Sequence, residues 1–248
     1  MLNLENRREL LGITLAIILM LGGSYLIAIG LMELHSTRER EETNMNDNET
    51  IELPSPDKDS NLSIEEAIER RRSIRSYTEE PLDIKEVSQL LWSAQGITSD
   101  EGKRTSPSAG ATYPLETYLV VDEEGVEEIE KGIYRYIPEE HELKKISGEK
   151  IHSELSKASL GQSQVKEAPI NIVITAVYER TERRYGERAV RYVQMEAGHA
   201  AQNIYLQSES LNLGTVVIGA FEDEEVQELM EVPSDHEPLY IMPVGRPK

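Results

Sequence analysis

The sequence predicts an α+β domain that follows a single transmembrane helix. Two observations indicate this: no residue from Leu10 to Met32 is charged, and beyond residue 63 apolar β-branched runs alternate with amphipathic helical patterns. A helix over the uncharged run rises about 35 Å, enough to cross a bilayer core of about 30 Å. The acidic segment between the two parts lacks apolar periodicity and is predicted to be a flexible linker. The predicted organisation is an N-terminal flank (1–9), a transmembrane helix (10–32), an acidic linker (33–62) and a domain (63–248).

The basic residues that flank the uncharged run favour a single-pass membrane protein with its domain outside. Arg7, Arg8 and the amino terminus precede the run, whereas Arg38 and Arg40 follow it among several glutamates. Acidic residues count little in the positive-inside rule, so the bias toward an inside amino terminus is slight. A cleaved signal peptide and a buried core helix are the alternatives. The apolar region of a signal peptide is usually about 7–15 residues long, shorter than this run.

The charge balance and the missing motifs exclude several function classes. The chain has 46 acidic and 26 basic residues, a net charge of −20, whereas a nucleic-acid-binding surface needs a basic excess. It contains no cysteine, which excludes disulfide scaffolds, thiolate metal sites and cysteine nucleophiles. The dinucleotide fingerprint, the zinc-protease pattern and the hydrolase nucleophile elbow do not occur. We expect no nucleic-acid partner and no metal site.

Caps and periodicity place the elements of the domain. Capping boxes at Ser63–Glu66 and Asp83–Glu86 each predict the start of a helix, and Gly96 is predicted to end the second one. Further helices are predicted over 149–159, 187–211 and 223–230. Strands are predicted over 115–121, 132–137, 142–146, 169–177, 215–218 and 238–244.

A basic cluster is the main candidate for a functional site. Four arginines and one serine fall within six consecutive positions: Arg70, Arg71, Arg72, Ser73 and Arg75. Neighbouring guanidinium groups repel one another unless acidic groups neutralise them. The spacing of the residues alone leaves two interpretations open. The arginines could pair with Glu65, Glu66 and Glu69, or they could bind a phosphate or carbonyl ligand.

Six segments in order make the chain resemble a known family. They are RRRSIRSY (70–77), LLWSAQGIT (90–98), PSAGATYPLE (107–116), RYGERAVRYVQMEAGHAAQNIYLQ (184–207), LGTVVIGAF (213–221) and PLYIMPVGRP (238–247). The sequence resembles the nitroreductase superfamily, most closely its SagB-type (thiazole/oxazole dehydrogenase-like) branch. The resemblance covers about residues 63–248.

The resemblance implies a homodimer that holds FMN at its interface. Arg71, Ser73 and Arg75 would contact the flavin and its phosphate, which supplies an anion for the basic cluster. Ser108 and Gly110 would lie around the isoalloxazine ring, from the same subunit or from its partner. Ile218 and Gly219 would pass beside the ring, and Arg246 would contact the phosphate.

One departure from the family pattern concerns the catalytic residues. Azole-forming members of the branch carry a Lys-Tyr pair where this chain has Arg184-Tyr185. A guanidinium group does not release its proton near neutral pH, so we expect Tyr185 to donate a proton with Arg184 beside it. The implied function is a membrane-anchored FMN-dependent oxidoreductase that moves hydride from a donor such as NAD(P)H to a small-molecule acceptor. The alternatives are an azoline-to-azole peptide dehydrogenase and a non-catalytic flavin-binding membrane subunit.

Overall fold

A computed structural model of the protein describes residues 50–248. The predicted flank 1–9, the predicted transmembrane helix 10–32 and most of the predicted linker lie outside these residues. Within residues 50–248, no helix combines the length and the apolar character needed to cross a membrane.

The described residues form an antiparallel sheet of seven strands with helices on both faces, which confirms the predicted α+β class. The strands are β1 (Thr50–Glu52), β2 (Leu115–Val121), β3 (Gly132–Ile137), β4 (Glu142–Ser147), β5 (Ile170–Ala176), β6 (Gly214–Thr215) and β7 (Glu237–Gly245). Their order in the sheet is β1-β4-β3-β2-β5-β7-β6. The two central strands, β2 and β5, pair along their whole length, from Leu115 opposite Ala176 to Val121 opposite Ile170.

The helices are short except for two. They are α1 (Ile64–Arg70), α2 (Ile84–Gln95), α3 (His152–Ala158), α4 (Ser163–Glu167), α5 (Glu179–Tyr185), α6 (Ala189–Ser210) and α7 (Asp223–Leu229). One-turn 3₁₀ helices occupy Ala109–Ala111 and Gly186–Arg188.

Two cores lie on opposite faces of the sheet because side chains alternate along each strand. On β2, Leu119 belongs to the larger core, which α2 and α6 cover. Its neighbour Tyr118 belongs to the smaller core, which α3, α4 and α7 cover. Every residue of β2 and of β5 is buried, which explains the apolar run at 169–177.

Both predicted capping boxes are present. The side chains of Ser63 and Asp83 accept backbone N–H bonds from the first turns of α1 and α2, and Glu66 and Glu86 reciprocate. Gly96 ends α2 as predicted, with φ −61° and an extended backbone. Glycine fits there because a Cβ would collide with the Trp92 side chain.

Three of the differences between the structure and the sequence prediction concern the sheet and the candidate site. Strand β1 lies inside the predicted linker and pairs with β4, so the fold includes residues 50–62. The segment 179–184, for which no helix or strand is predicted, belongs to helix α5. The strand predicted at 215–218 is reduced to Gly214–Thr215, with Ile218 in an isolated bridge to Ile241. Edge strands of two or three residues carry too few residues for a recognisable alternation of apolar side chains.

Candidate functional site

Two of the four clustered arginines are satisfied within their own segment. Arg70 pairs with Glu66 one helical turn earlier, at 3.3 Å. The Arg72 guanidinium group donates to the carbonyl oxygens of Glu69 and Arg71, at 2.9 and 2.7 Å, at the carboxyl end of α1. This end carries a partial negative charge that favours a cation. Pairing with nearby glutamates, one of the two readings of the cluster, therefore accounts for Arg70.

The other two arginines, Arg71 and Arg75, have no carboxylate within 4.0 Å in the described part of the chain. Arg75 is exposed, and its guanidinium group makes one long bond, 3.4 Å, to the Ser73 carbonyl oxygen. The Arg71 guanidinium carbon lies 5.1 Å from the centre of the Tyr205 ring, a cation–π distance. Two guanidinium groups without an acidic partner, in a protein of net charge −20, are well suited to bind an anion.

Tyr205 on helix α6 joins this segment to the strand that follows. Its hydroxyl oxygen lies 3.1 Å from Ser73 Oγ and accepts the Val217 backbone N–H at 2.8 Å. A backbone bond of 2.9 Å from Ile74 N–H to the Thr215 carbonyl runs beside these contacts. The predicted residues Arg71, Ser73 and Arg75 therefore lie against the chain that leads to Ile218 and Gly219. Sequence reasoning missed Tyr205, because one tyrosine on a long helix carries no local signal.

Ile218 and Gly219 follow this junction. Ile218 is buried and exchanges two backbone hydrogen bonds of 2.9 Å with Ile241. Gly219 is exposed, and a Cβ there would meet Tyr240 at an ordinary 3.5 Å. Packing within the chain therefore does not require glycine at 219.

The side chain of Arg246 differs from those of Arg71 and Arg75 because it has acidic partners. Its guanidinium nitrogens lie 3.1 and 3.2 Å from the two carboxylate oxygens of Glu86, and its Nε lies 2.8 Å from Glu80. Carboxylates of its own chain neutralise the guanidinium group at the start of α2. Among residues 50–248, Arg246 therefore has two acidic partners, unlike Arg71 and Arg75.

The loop before β2 collects the second group of predicted residues. Gly110 has φ +61°, and Ala111 and Tyr113 are also left-handed, with φ 54° and 44°; such conformations cluster at functional sites. Arg184 Nη1 donates to the Gly110 carbonyl oxygen at 3.0 Å. A Cβ on Gly110 would lie 2.6 Å from the Tyr185 hydroxyl oxygen. The structure thus brings Gly110, Arg184 and Tyr185 together within one subunit.

A buried ion network holds α5 in this position. Arg180 on α5 donates to the Tyr113 carbonyl oxygen at 3.0 Å and to the buried Glu116 carboxylate at 2.5 Å. Arg135 donates two further bonds to the other oxygen of Glu116, at 3.0 and 2.8 Å. Two guanidinium groups compensate the desolvation of one carboxylate. The network fixes the helix that carries Arg184 and Tyr185 against the loop.

Glu196 on α6 is a further residue of this site that sequence reasoning missed. It is 2% exposed, and burial raises its pKa to about 7, although hydrogen bonds from Ser108 and Ala109 and the charge of Arg104 favour the ionised form. Its Oε1 has no hydrogen-bond partner among the described residues. The sequence does carry a signal for Glu196, because this glutamate lies on the apolar face of the helix. Val193, three residues earlier, and Ala200, four residues later, are both buried.

The two groups of residues fit the FMN that the resemblance implies. Arg71, Ser73 and Arg75 offer charged and hydroxyl donors for a phosphate. The loop with Ser108 and Gly110 offers polar groups and exposed backbone for a flat ring. Tyr205 and Glu196, which contact the two groups, are nine residues apart on α6, or about 13 Å along its axis. The two groups of residues thus lie at two positions along one helix.

The family model described as the nitroreductase family matches residues 68–246. The chain belongs to the nitroreductase family. It is 48% identical over 199 residues to MJ1384 of Methanocaldococcus jannaschii, a protein whose name describes it as a nitroreductase. The match covers 80% of this chain and 98% of that protein.

Two more distant relatives differ in their named roles. The microcin B17-processing protein McbC of Escherichia coli is 28% identical over 156 residues, which cover 61% of this chain and 57% of McbC. An FMN reductase [NAD(P)H] of Bacillus subtilis is 26% identical over 190 residues, covering 71% of this chain and 62% of that protein. The match to McbC agrees with the resemblance to the SagB-type branch.

Solved structures agree with the family assignment. A nitroreductase-family structure from Ralstonia eutropha has a TM-score of 0.70 and 29% identity, and the match covers 80% of this chain and 90% of that chain. One from Anabaena variabilis has a TM-score of 0.72 and 33% identity, covering 81% and 42% of the two chains.

The prediction of a single-pass membrane location is wrong. The 48% identical relative, named for the nitroreductases, is matched over 98% of its length. Residues 50–248 contain no helix that could cross a membrane. The span predicted at 10–32 lies outside the described residues.

Proposed function

We propose that the protein is an FMN-dependent oxidoreductase that moves hydride from a donor such as NAD(P)H to a small organic acceptor. The observation that carries the proposal is the pair of guanidinium groups, Arg71 and Arg75, that flank Ser73 and have no carboxylate partner in residues 50–248. The Bacillus subtilis relative, an FMN reductase by name, supports the cofactor and the donor.

The residues have separate roles in this proposal. Arg71 and Arg75 bind the phosphate, and Ser73 adds a hydroxyl donor between them. The loop with Ser108 and Gly110, together with the Ile218–Gly219 segment, borders the ring. When bound, FMN supplies the hydride chemistry, and the protein supplies orientation and electrostatics.

Arg184 and Tyr185 differ in what they can contribute. Arg184 donates to the Gly110 carbonyl oxygen, so its role is to hold the loop rather than to transfer a proton. Tyr185 lies beside the same glycine, and its ring packs edge-on against Tyr192 with ring centres 5.1 Å apart. We assign Tyr185 as the proton donor to an organic acceptor.

The proposed assembly is a homodimer with the flavin at its interface. Met195 on α6 is 53% exposed, and Gly198, three residues later on the same face, has no atom within 4 Å of the position of a Cβ. In the proposed dimer, the second copy of the helix lies against this exposed, low-relief part of α6. Sedimentation of the flavin-loaded protein as a monomer would contradict the dimer.

A second candidate function is oxidation of peptide azolines to azoles, favoured by the match to McbC. Arg184 disfavours this candidate, because it stands where azole-forming members have lysine. Its guanidinium group also donates to the Gly110 carbonyl oxygen of the loop. A third candidate, a non-catalytic flavin-binding subunit, predicts bound flavin that no donor reduces. Turnover of an azoline peptide by the purified chain would favour the second candidate, and bleaching by NAD(P)H excludes the third.

Arginine substitutions test the proposed phosphate group. We expect Arg71→Ala and Arg75→Ala to weaken FMN binding about ten- to a hundredfold, because each removes a charge-assisted bond worth about 1.5–3 kcal/mol. Arg70→Ala is the matched control, since Arg70 already pairs with Glu66. FMN dissociation constants are measured by quenching of flavin fluorescence. Equal, small effects at all three positions would show that the cluster is only a solvated face.

A further inference from the structure

The atoms around Tyr205 fix the direction of one of its two hydrogen bonds. The Val217 backbone N–H can only donate, so the Tyr205 hydroxyl oxygen accepts that bond at 2.8 Å. Donation of the single Tyr205 hydroxyl hydrogen to its other neighbour, Ser73 Oγ, at 3.1 Å, is one of the two directions that this contact allows. This arrangement pairs both the donor and the acceptor function of the tyrosine hydroxyl.

The direction of this bond decides whether Ser73 can donate to a ligand. When its oxygen accepts from Tyr205, its own hydrogen is free to be donated to a third group. Ser73 is exposed, and it lies between Arg71 and Arg75 in the chain. In this direction the donor chain runs from Val217 N–H through Tyr205 to Ser73 and ends on the surface beside Arg71 and Arg75.

We propose that Tyr205 is a positioning residue that holds Ser73 as a hydrogen-bond donor to the phosphate of bound FMN. The inference rests on the proposed function, because it takes the flavin phosphate as the anion at Arg71 and Arg75. Consecutive hydrogen bonds polarise one another, so donation from Tyr205 strengthens donation from Ser73. The Tyr205 ring also supports the Arg71 guanidinium group at 5.1 Å, but that contact needs only the ring.

Phenylalanine at 205 therefore separates the two contributions, since it keeps the ring and removes the hydroxyl. The experiment compares FMN binding to the wild type, Tyr205→Phe, Ser73→Ala and the double variant. We expect each single variant to bind about tenfold more weakly, and the double variant to bind no more weakly than Ser73→Ala within about twofold. Riboflavin, which lacks the phosphate, serves as the second ligand, and Tyr205→Phe should change its affinity by less than about twofold.

A matched control is Tyr118→Phe, which removes a buried tyrosine bond of 2.7 Å to His236 in the core on the other face of the sheet. It should leave FMN affinity unchanged. Two results overturn the inference while leaving the proposed function intact: wild-type affinity in Tyr205→Phe, or independent losses that multiply to about a hundredfold in the double variant. A wild-type protein that binds no FMN overturns the proposed function and this inference with it.

Discussion

Replacement of Glu196 by glutamine should stabilise the protein at alkaline pH. The Glu196 side chain is 2% exposed, and burial raises its pKa from 4.5 to about 7. The folded state therefore holds this proton more tightly than the unfolded state, and folding is penalised as pH rises through that interval. One pKa unit corresponds to about 1.4 kcal/mol, so the full penalty above pH 7 is about 3 kcal/mol. Glutamine cannot ionise and avoids the penalty.

Urea unfolding of the wild type and of Glu196→Gln at two pH values measures this effect. The stability difference should shift in favour of the variant by about 2–3 kcal/mol between pH about 5 and pH about 8.5. A buried glutamine amide that lacks a hydrogen-bond partner lowers the unfolding free energy of the variant by about 1 kcal/mol. This loss is the same at both pH values, so it cancels in the comparison across pH. Glu187→Gln, at an exposed position before the same helix, should stay within about 0.5 kcal/mol of the wild type at both values. A difference that does not change with pH would refute the reasoning.

Two further predictions concern the loop and its neighbours. Tyr185→Phe should leave FMN binding and bleaching by NAD(P)H intact, yet slow reoxidation by a proton-requiring organic acceptor about a hundredfold in stopped-flow measurements. Reoxidation by ferricyanide, which needs no proton, should barely change, and equal slowing with both acceptors would remove Tyr185 from the mechanism. Gly110→Ala should lower both FMN affinity and unfolding free energy by more than Gly102→Ala does. Both glycines are left-handed, with φ +61° and +73°, but only a Cβ at 110 meets other side chains; equal losses would show that backbone strain alone is responsible.

Local sequence signals predict the elements that depend on local physics. The two capping boxes place the starts of α1 and α2 correctly, because a cap is a contact within four residues. The residues at 115–121 and 169–177 predict β2 and β5, and the run at 169–177 is largely apolar because β5 is buried on both faces. Sequence reasoning succeeds where the determinants of an element lie within the element.

Elements and residues that depend on distant partners could not be predicted this way. Strand β1 is recognisable only through its pairing with β4. Helix α5 has a mixed-charge sequence, and it is held by bonds from Arg180 to Tyr113 and Glu116. The roles of Tyr205 and Arg246 likewise come from contacts with residues far away in the chain. The resemblance to the family pointed to the loop and to the arginines. It did not indicate that the Arg246 guanidinium group forms ion pairs with Glu80 and Glu86.

The visible absorption spectrum of the full-length protein, titrated with FMN and then with NADPH without oxygen, tests the central claim most directly. The account predicts saturable binding of FMN, a loss of the oxidised flavin absorbance on addition of NADPH, and its return when an organic acceptor is added. Binding should weaken in Arg71→Ala and Arg75→Ala and stay unchanged in Arg70→Ala. A wild-type protein that does not bind FMN, or that binds it without any bleaching by NAD(P)H, would contradict the proposed oxidoreductase.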